Sequence, residues 1–151
     1  MKDVHILLVE DNEGDIILTL EAFKSGKLHN TISVVRDGEE AIRFLKKEDR
    51  FSEVARPDII LLDINLPKLD GKETLHYIKN DEDLKSIPVV MLTTSSSEKD
   101  IQEAYKHHAN CYITKPVDFT KFIQVVQFIE NFWISIVKLP KNDEQCSLIL
   151  N

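Results

Sequence analysis

A chain of 151 residues is the size of one domain, at about 100–200 residues each, and leaves no room for a separate output unit. Its 19 basic and 26 acidic residues give a formal charge of −7, the wrong sign for affinity drawn from the phosphates of nucleic acid or an anionic membrane. No signal-peptide pattern and no apolar stretch of the ~18 residues needed for a membrane span are present, so a cytoplasmic protein is expected, without nucleic-acid or membrane partners.

Residues 4–9 are apolar but for His5 and do not alternate, the mark of a parallel strand covered on both faces. A helix is expected over 15–24, a short β-branched strand over 31–35 and a helix over 39–47. Apolar runs at 57–62 and 88–92 read as further strands, and 111–114 as a weaker one. Helical periodicity covers 72–80, 98–107 and 118–137. This βα alternation predicts an α/β fold, a doubly wound five-stranded parallel sheet with helices on both faces and ligand chemistry at the carboxyl ends of the strands. The charged blocks 46–50 and 80–83 read as solvated loops. The tail 141–151 is polar and ends in Ser147-Leu148-Ile149-Leu150-Asn151; disordered and docked states both remain open. Cys111 and Cys146 are too few for a disulfide framework. The adjacent His107 and His108 cannot easily converge with Cys111 on one soft metal.

What stands at the strand ends carries the chemistry. Glu10, Asp11, Asn12, Glu13 and Asp15 follow the first strand, where a nucleotide-binding fold would place a glycine-rich phosphate cradle. Carboxylates gathered there suit Mg²⁺, which takes one or two of them together with waters and phosphoryl oxygens. Asn12, Glu13 and Asp15 fit equally well as a helix N-cap and first-turn acids. Asp63 ends the run Ile59-Ile60-Leu61-Leu62, and a carboxylate there needs a positive partner. It can serve as metal ligand or as a nucleophile that forms an acyl phosphate. Thr93 and Lys115, after the fourth and fifth strands, supply a hydroxyl and an ammonium for phosphoryl oxygens.

These residues together resemble the CheY-like receiver domain of two-component response regulators. The likeness rests on Glu10-Asp11, on Asp63 in Leu-Leu-Asp-Ile-Asn-Leu-Pro, on Thr93 and on Lys115-Pro116. It implies a (βα)5 flavodoxin-like receiver unit over 1–140 and a phosphoryl group accepted on Asp63 from a histidine kinase. It implies Mg²⁺ bound by Asp11, Asp63 and the backbone carbonyl of Asn65, with Glu10 acting through water. Thr93 and Lys115 would contact the phosphoryl oxygens, and Thr93 with Tyr112 would form the switch, ordinary edge packing being the other reading of Tyr112. Gly71 matches a family loop position where a backbone without Cβ is useful. Glu10 stands where many members have aspartate, and Thr94 where alanine or glycine is common.

The implied activity is that of a signalling phosphoacceptor rather than an enzyme, limited to self-catalysed phosphotransfer and autodephosphorylation. The alternative is a receiver-like module that binds partners without phosphorylation. A phosphohydrolase of the haloacid-dehalogenase type wants a second carboxylate two residues after the nucleophile, where this chain has Asn65.

Twelve of the nineteen residues 119–137 are apolar, more than one sheet-facing stripe requires. A homodimer is expected through the last strand and helix, using Phe128, Phe132, Trp133 and Ile136, unless Leu148–Leu150 of the tail cover the helix. The stretches 131–140 and 110–115, with the long loop after the second helix, resemble the phytochrome-associated branch of single-domain response regulators. That likeness implies dimerisation by the same elements and a phytochrome-type or hybrid sensor histidine kinase as phosphodonor.

Overall fold

The computed structural model describes residues 3–26, 29–93, 102, 106, 109, 111–114 and 119–138, the side chains of 93, 111, 114 and 132–138 excepted. Five strands, β1 (Val4–Val9), β2 (Asn30–Val35), β3 (Ile59–Leu62), β4 (Val89–Thr93) and β5 (Cys111–Thr114), form one sheet in the order β2-β1-β3-β4-β5. Every neighbouring pair is parallel, as the sequence predicts. Among the described residues, α-helices run over α1 (Glu13–Lys24), α2 (Gly38–Leu45), α3 (Gly71–Lys79) and α4 (Phe119–Lys138). Of the helix expected over 98–107, only Gln102 and Lys106 are described, both helical, and the tail 141–151 lies outside the described residues.

Burial on both faces explains the continuous apolar runs. Leu7, Val9, Ile60, Leu62, Val89 and Met91 point to one side, under Phe44 and Leu45 of α2 and Leu75 and Ile78 of α3. Ile6, Leu8, Ile59, Leu61, Val90 and Leu92 point to the other, against Ile16 and Phe23 of α1 and Phe122, Val126 and Ile129 of α4. With both faces covered, the runs Ile59–Leu62 and Val89–Leu92 have no position that favours a polar residue, so alternation is absent there.

Element ends depart from expectation where a cap decides them. The Asn12 side chain accepts from Asp15 N at 2.9 Å, so α1 starts at Glu13 rather than at residue 15. α2 stops at Leu45 because Lys47 turns left-handed at φ 57°. Glu48 N then donates to Arg43 O at 2.9 Å and Lys47 N to Phe44 O at 3.1 Å, closing the helix. An unanticipated 3₁₀ turn at Asp49–Phe51 follows, its Phe51 ring 5.2 Å from that of Phe44. The charged blocks are more than solvated loops. The Asp81 carboxylate accepts from Asp83 N at 2.9 Å, from Leu84 N at 3.1 Å and from the Lys46 ammonium, tying the end of α2 to the turn after α3. The hydrogen bond from Lys46 holds the Asp81 carboxyl below the usual carboxylate range, and the same bond raises Lys46.

From β1 the chain leaves for β2 on one side, and from β3 it leaves for β4 on the other. Connections that diverge in this way open a crevice at the carboxyl ends of β1 and β3, the place where such sheets bind ligands.

Candidate functional site

Two hydrogen bonds carry the sheet one residue past β1 and β3. Glu10 N donates to Val35 O at 3.0 Å, and Asp63 N donates to Val9 O at 3.1 Å. Since Val9 lies opposite Leu62, Glu10 and Asp63 emerge side by side at the crevice. Glu10 is 2% exposed and Asp63 7%, while Asp11 faces solvent.

Carboxylate oxygens of Glu10, Asp11 and Asp63 lie within 4.8 Å of one another. Unit charges at that separation repel by roughly 3 kcal/mol per pair at an effective dielectric constant of about 20. An all-oxygen, anionic and partly buried donor set of this kind fits a hard divalent cation, which relieves the repulsion. No other cluster of this type occurs among the described residues.

Local turns hold Glu10 and Asp63. Asn12, while capping α1 with its side chain, donates its own N–H to Glu10 Oε2 at 3.3 Å. Asn65 N donates to Asp63 Oδ1 at 3.4 Å, and Gly71 N donates to Ile64 O at 2.8 Å. Gly71 comes so close that a Cβ on it would stand 2.0 Å from the Asp63 carbonyl oxygen and 2.6 Å from Ile64 Cα. Its φ is not positive, so close approach is the reason for glycine here.

The remaining expected site residues are placed unequally. Asn65 is exposed in the same turn as Asp63 and, lacking a carboxylate, is not part of the acidic cluster. Thr93 ends β4 one position beyond the level of Asp63, by the pairing of Leu62 with Met91, but its side chain lies outside the described residues. Lys115 lies outside them altogether. Tyr112, opposite Met91 in β5, is 8% exposed in the core under α2 and α3.

Of the residues expected at a dimer face, Phe128 is partly buried against the α1-side core. The side chains of Phe132, Trp133 and Ile136 lie outside the described residues. Among the described residues no helix is long and apolar enough to cross a membrane.

Residues that sequence reasoning passed over line the loop after β3. Asp37 Oδ1 caps α2 by accepting from Glu40 N at 2.7 Å, and Asp37 Oδ2 lies 3.8 Å from Lys68 Nζ. Lys68 itself is left-handed, with φ 64°. Asp-Gly after a strand is a helix-start signal that points to Asp37, whereas nothing in a lysine announces a left-handed backbone.

The match to known proteins runs through these same residues. Residues 6–127 match the response regulator receiver domain family. Response regulator Rcp1 of Synechocystis sp. is 45% identical over 135 residues, which is 89% of this chain and 92% of Rcp1. The crystal structure of the phosphorylated cyanobacterial phytochrome response regulator RcpA has a TM-score of 0.86 at 47% identity, covering 93% of this chain and 100% of that one. The Mn²⁺-bound form of Rcp1 has a TM-score of 0.82 at 44% identity, covering 91% of this chain and 99% of that one. The chain belongs to the response regulator receiver domain family.

Proposed function

We propose that this chain is a phosphoacceptor switch in which Asp63 takes a phosphoryl group from a sensor histidine kinase in a Mg²⁺-dependent step. The observation that carries the reading is the trio of carboxylates within 4.8 Å at the β1/β3 crevice, with Asp63 at the end of a fully buried apolar strand. An oxygen of Asp63 attacks the phosphorus of a phosphohistidine; the O–P bond forms as the P–N bond breaks, and the imidazole nitrogen leaves with its electron pair. A divalent cation held there would supply neutralisation of charge on the phosphoryl oxygens and the carboxylates. Asp11, Asp63 and the Asn65 carbonyl would hold it, with Glu10 acting through water; that the relative Rcp1 has a Mn²⁺-bound form supports a divalent cation here. The Thr93 hydroxyl and Lys115 ammonium take the phosphoryl oxygens.

Phosphorylation biases a two-state surface through Thr93 and Tyr112, and another protein reads it. A phytochrome-type or hybrid kinase as donor is supported by the relative RcpA, a phytochrome response regulator. In this reading the receiver unit spans 1–140, acts in the cytoplasm, and pairs with a second copy through its last strand and helix.

Intact-mass analysis after incubation with acetyl phosphate and Mg²⁺ tests the proposal. The wild type gains one phosphoryl group; Asp63→Asn and an EDTA control do not. A wild type that binds the cation and takes no phosphoryl group overturns the reading in favour of a phosphorylation-independent binding module.

A further inference from the structure

We infer that Lys68 and Asp37 are positioning residues for the divalent-cation site, acting through the loop between β3 and α3. The inference rests on the phosphoacceptor reading above, since that loop carries Asp63 at its start and Asn65 two residues on.

The loop is fixed at both ends. Asp63 N is bonded to Val9 O, and Gly71 N to Ile64 O. At its far end Asp70 caps α3, accepting from Glu73 N at 2.9 Å while Glu73 returns a contact to Asp70 N. Its middle reverses at Lys68, where φ is 64°. A long L side chain rarely adopts that conformation, and it persists where the surroundings over-determine it.

Two successive contacts meet the loop at this reversal, and both come from the start of α2. Lys68 Nζ lies 3.8 Å from Asp37 Oδ2. One residue later, the Leu69 carbonyl oxygen sits where a Cβ on Gly38 would approach to 2.1 Å. The anchor is itself held: Asp37 is buried, and its second oxygen caps α2 through Glu40 N. The loop that presents Asp63 and Asn65 is therefore clamped between the end of β3 and the N-terminus of α2, an element that supplies no cation ligand.

The signs of two substitutions separate placement from a simple field effect. Lys68 contributes positive charge and Asp37 negative. Through the field alone, neutralising Lys68 would tighten a cation and neutralising Asp37 would loosen it. Through placement, both loosen it.

The test is calorimetric titration of the full chain with Mn²⁺, using wild type, Lys68→Gln, Lys68→Arg, Asp37→Asn and the Asp37→Asn/Lys68→Gln double variant, with metal-free thermal melting alongside. Asparagine keeps the side-chain oxygen that caps α2. The expected result is one Mn²⁺ site in the wild type, weakened about two- to five-fold in each neutral single variant, as suits a largely exposed ion pair. The double variant is no weaker than either single one, Lys68→Arg restores the affinity, and the melting temperatures stay together. Tightening by Lys68→Gln with loosening by Asp37→Asn overturns the inference in favour of the field alone. Losses of affinity that track losses of metal-free melting temperature overturn it in favour of a merely structural role. Wild-type affinity in every variant overturns the inference and leaves the phosphoacceptor reading standing, whereas a wild type that binds no Mn²⁺ removes both.

Discussion

A hydrogen is all that the Gly71 Cα can carry toward the Asp63 carbonyl, because that oxygen occupies the space of a Cβ. Gly71→Ala therefore has to push the end of β3 or the start of α3 aside. We expect a loss of about 1–3 kcal/mol in denaturant unfolding, the range for overpacking at a tight site, together with slower phosphoryl uptake from acetyl phosphate. At Asp81 the expected effect depends on pH. Its depressed carboxyl contributes stability that is present above the ordinary aspartate value of about 3.9 and is lost as pH falls through the lower folded-state value. The raised Lys46 contributes stability that is lost only as pH climbs through its own elevated value. The gap in melting temperature between wild type and Asp81→Asn should thus be level across neutral pH and shrink toward strong acid. At this scale the sequence was legible where residue type alone states the chemistry: Glu10, Asp11 and Asp63 could be assigned to one crevice because acids ending buried strands have few other uses. Lys68 was not legible, because a left-handed φ and an ion pair to Asp37 depend on how two loops meet.

α2 ends on a left-handed Lys47 at the position after its cap, the place that glycine fills most readily. Lys47→Gly removes that strain, and we expect a gain of roughly 0.5–1 kcal/mol, measured by urea unfolding against wild type. The same helix shows why element existence was easier to read than element limits. β1, β3 and β4 announce themselves by apolar runs, and α1 and α3 by apolar spacing. Where α1 starts depends on the Asn12 side chain reaching Asp15 N, and where β3 starts depends on a preceding residue being held differently. Asp58, expected within the strand, instead clips β1, with its N–H donating to His5 O at 2.7 Å and its carboxylate accepting from His5 N at 2.8 Å. Hydrogen-bond partners of this kind are chosen by tertiary contact, and apolar periodicity is blind to them. On α4, part of the apolar excess, Phe128 included, packs against the α1-side core.

For the molecule as a whole, the parallel sheet places the acidic crevice at one end and the two apolar cores on its faces. β5 holds Tyr112 in the core that α2 and α3 cover. Pairing of two copies through the last strand and helix predicts a dimer mass in light scattering at high protein concentration; a monodisperse monomer, phosphorylated or not, removes that part of the account. The central claim is that Asp63 is the residue that carries the phosphoryl group. Borohydride reduction of the acetyl phosphate-treated chain, followed by peptide mapping, tests it most directly, because an aspartyl phosphate is reduced to homoserine at the labelled position. The account predicts homoserine at position 63 alone, dependent on Mg²⁺. Homoserine at another acidic position, or a phosphorylated chain with Asp63 intact, would contradict it.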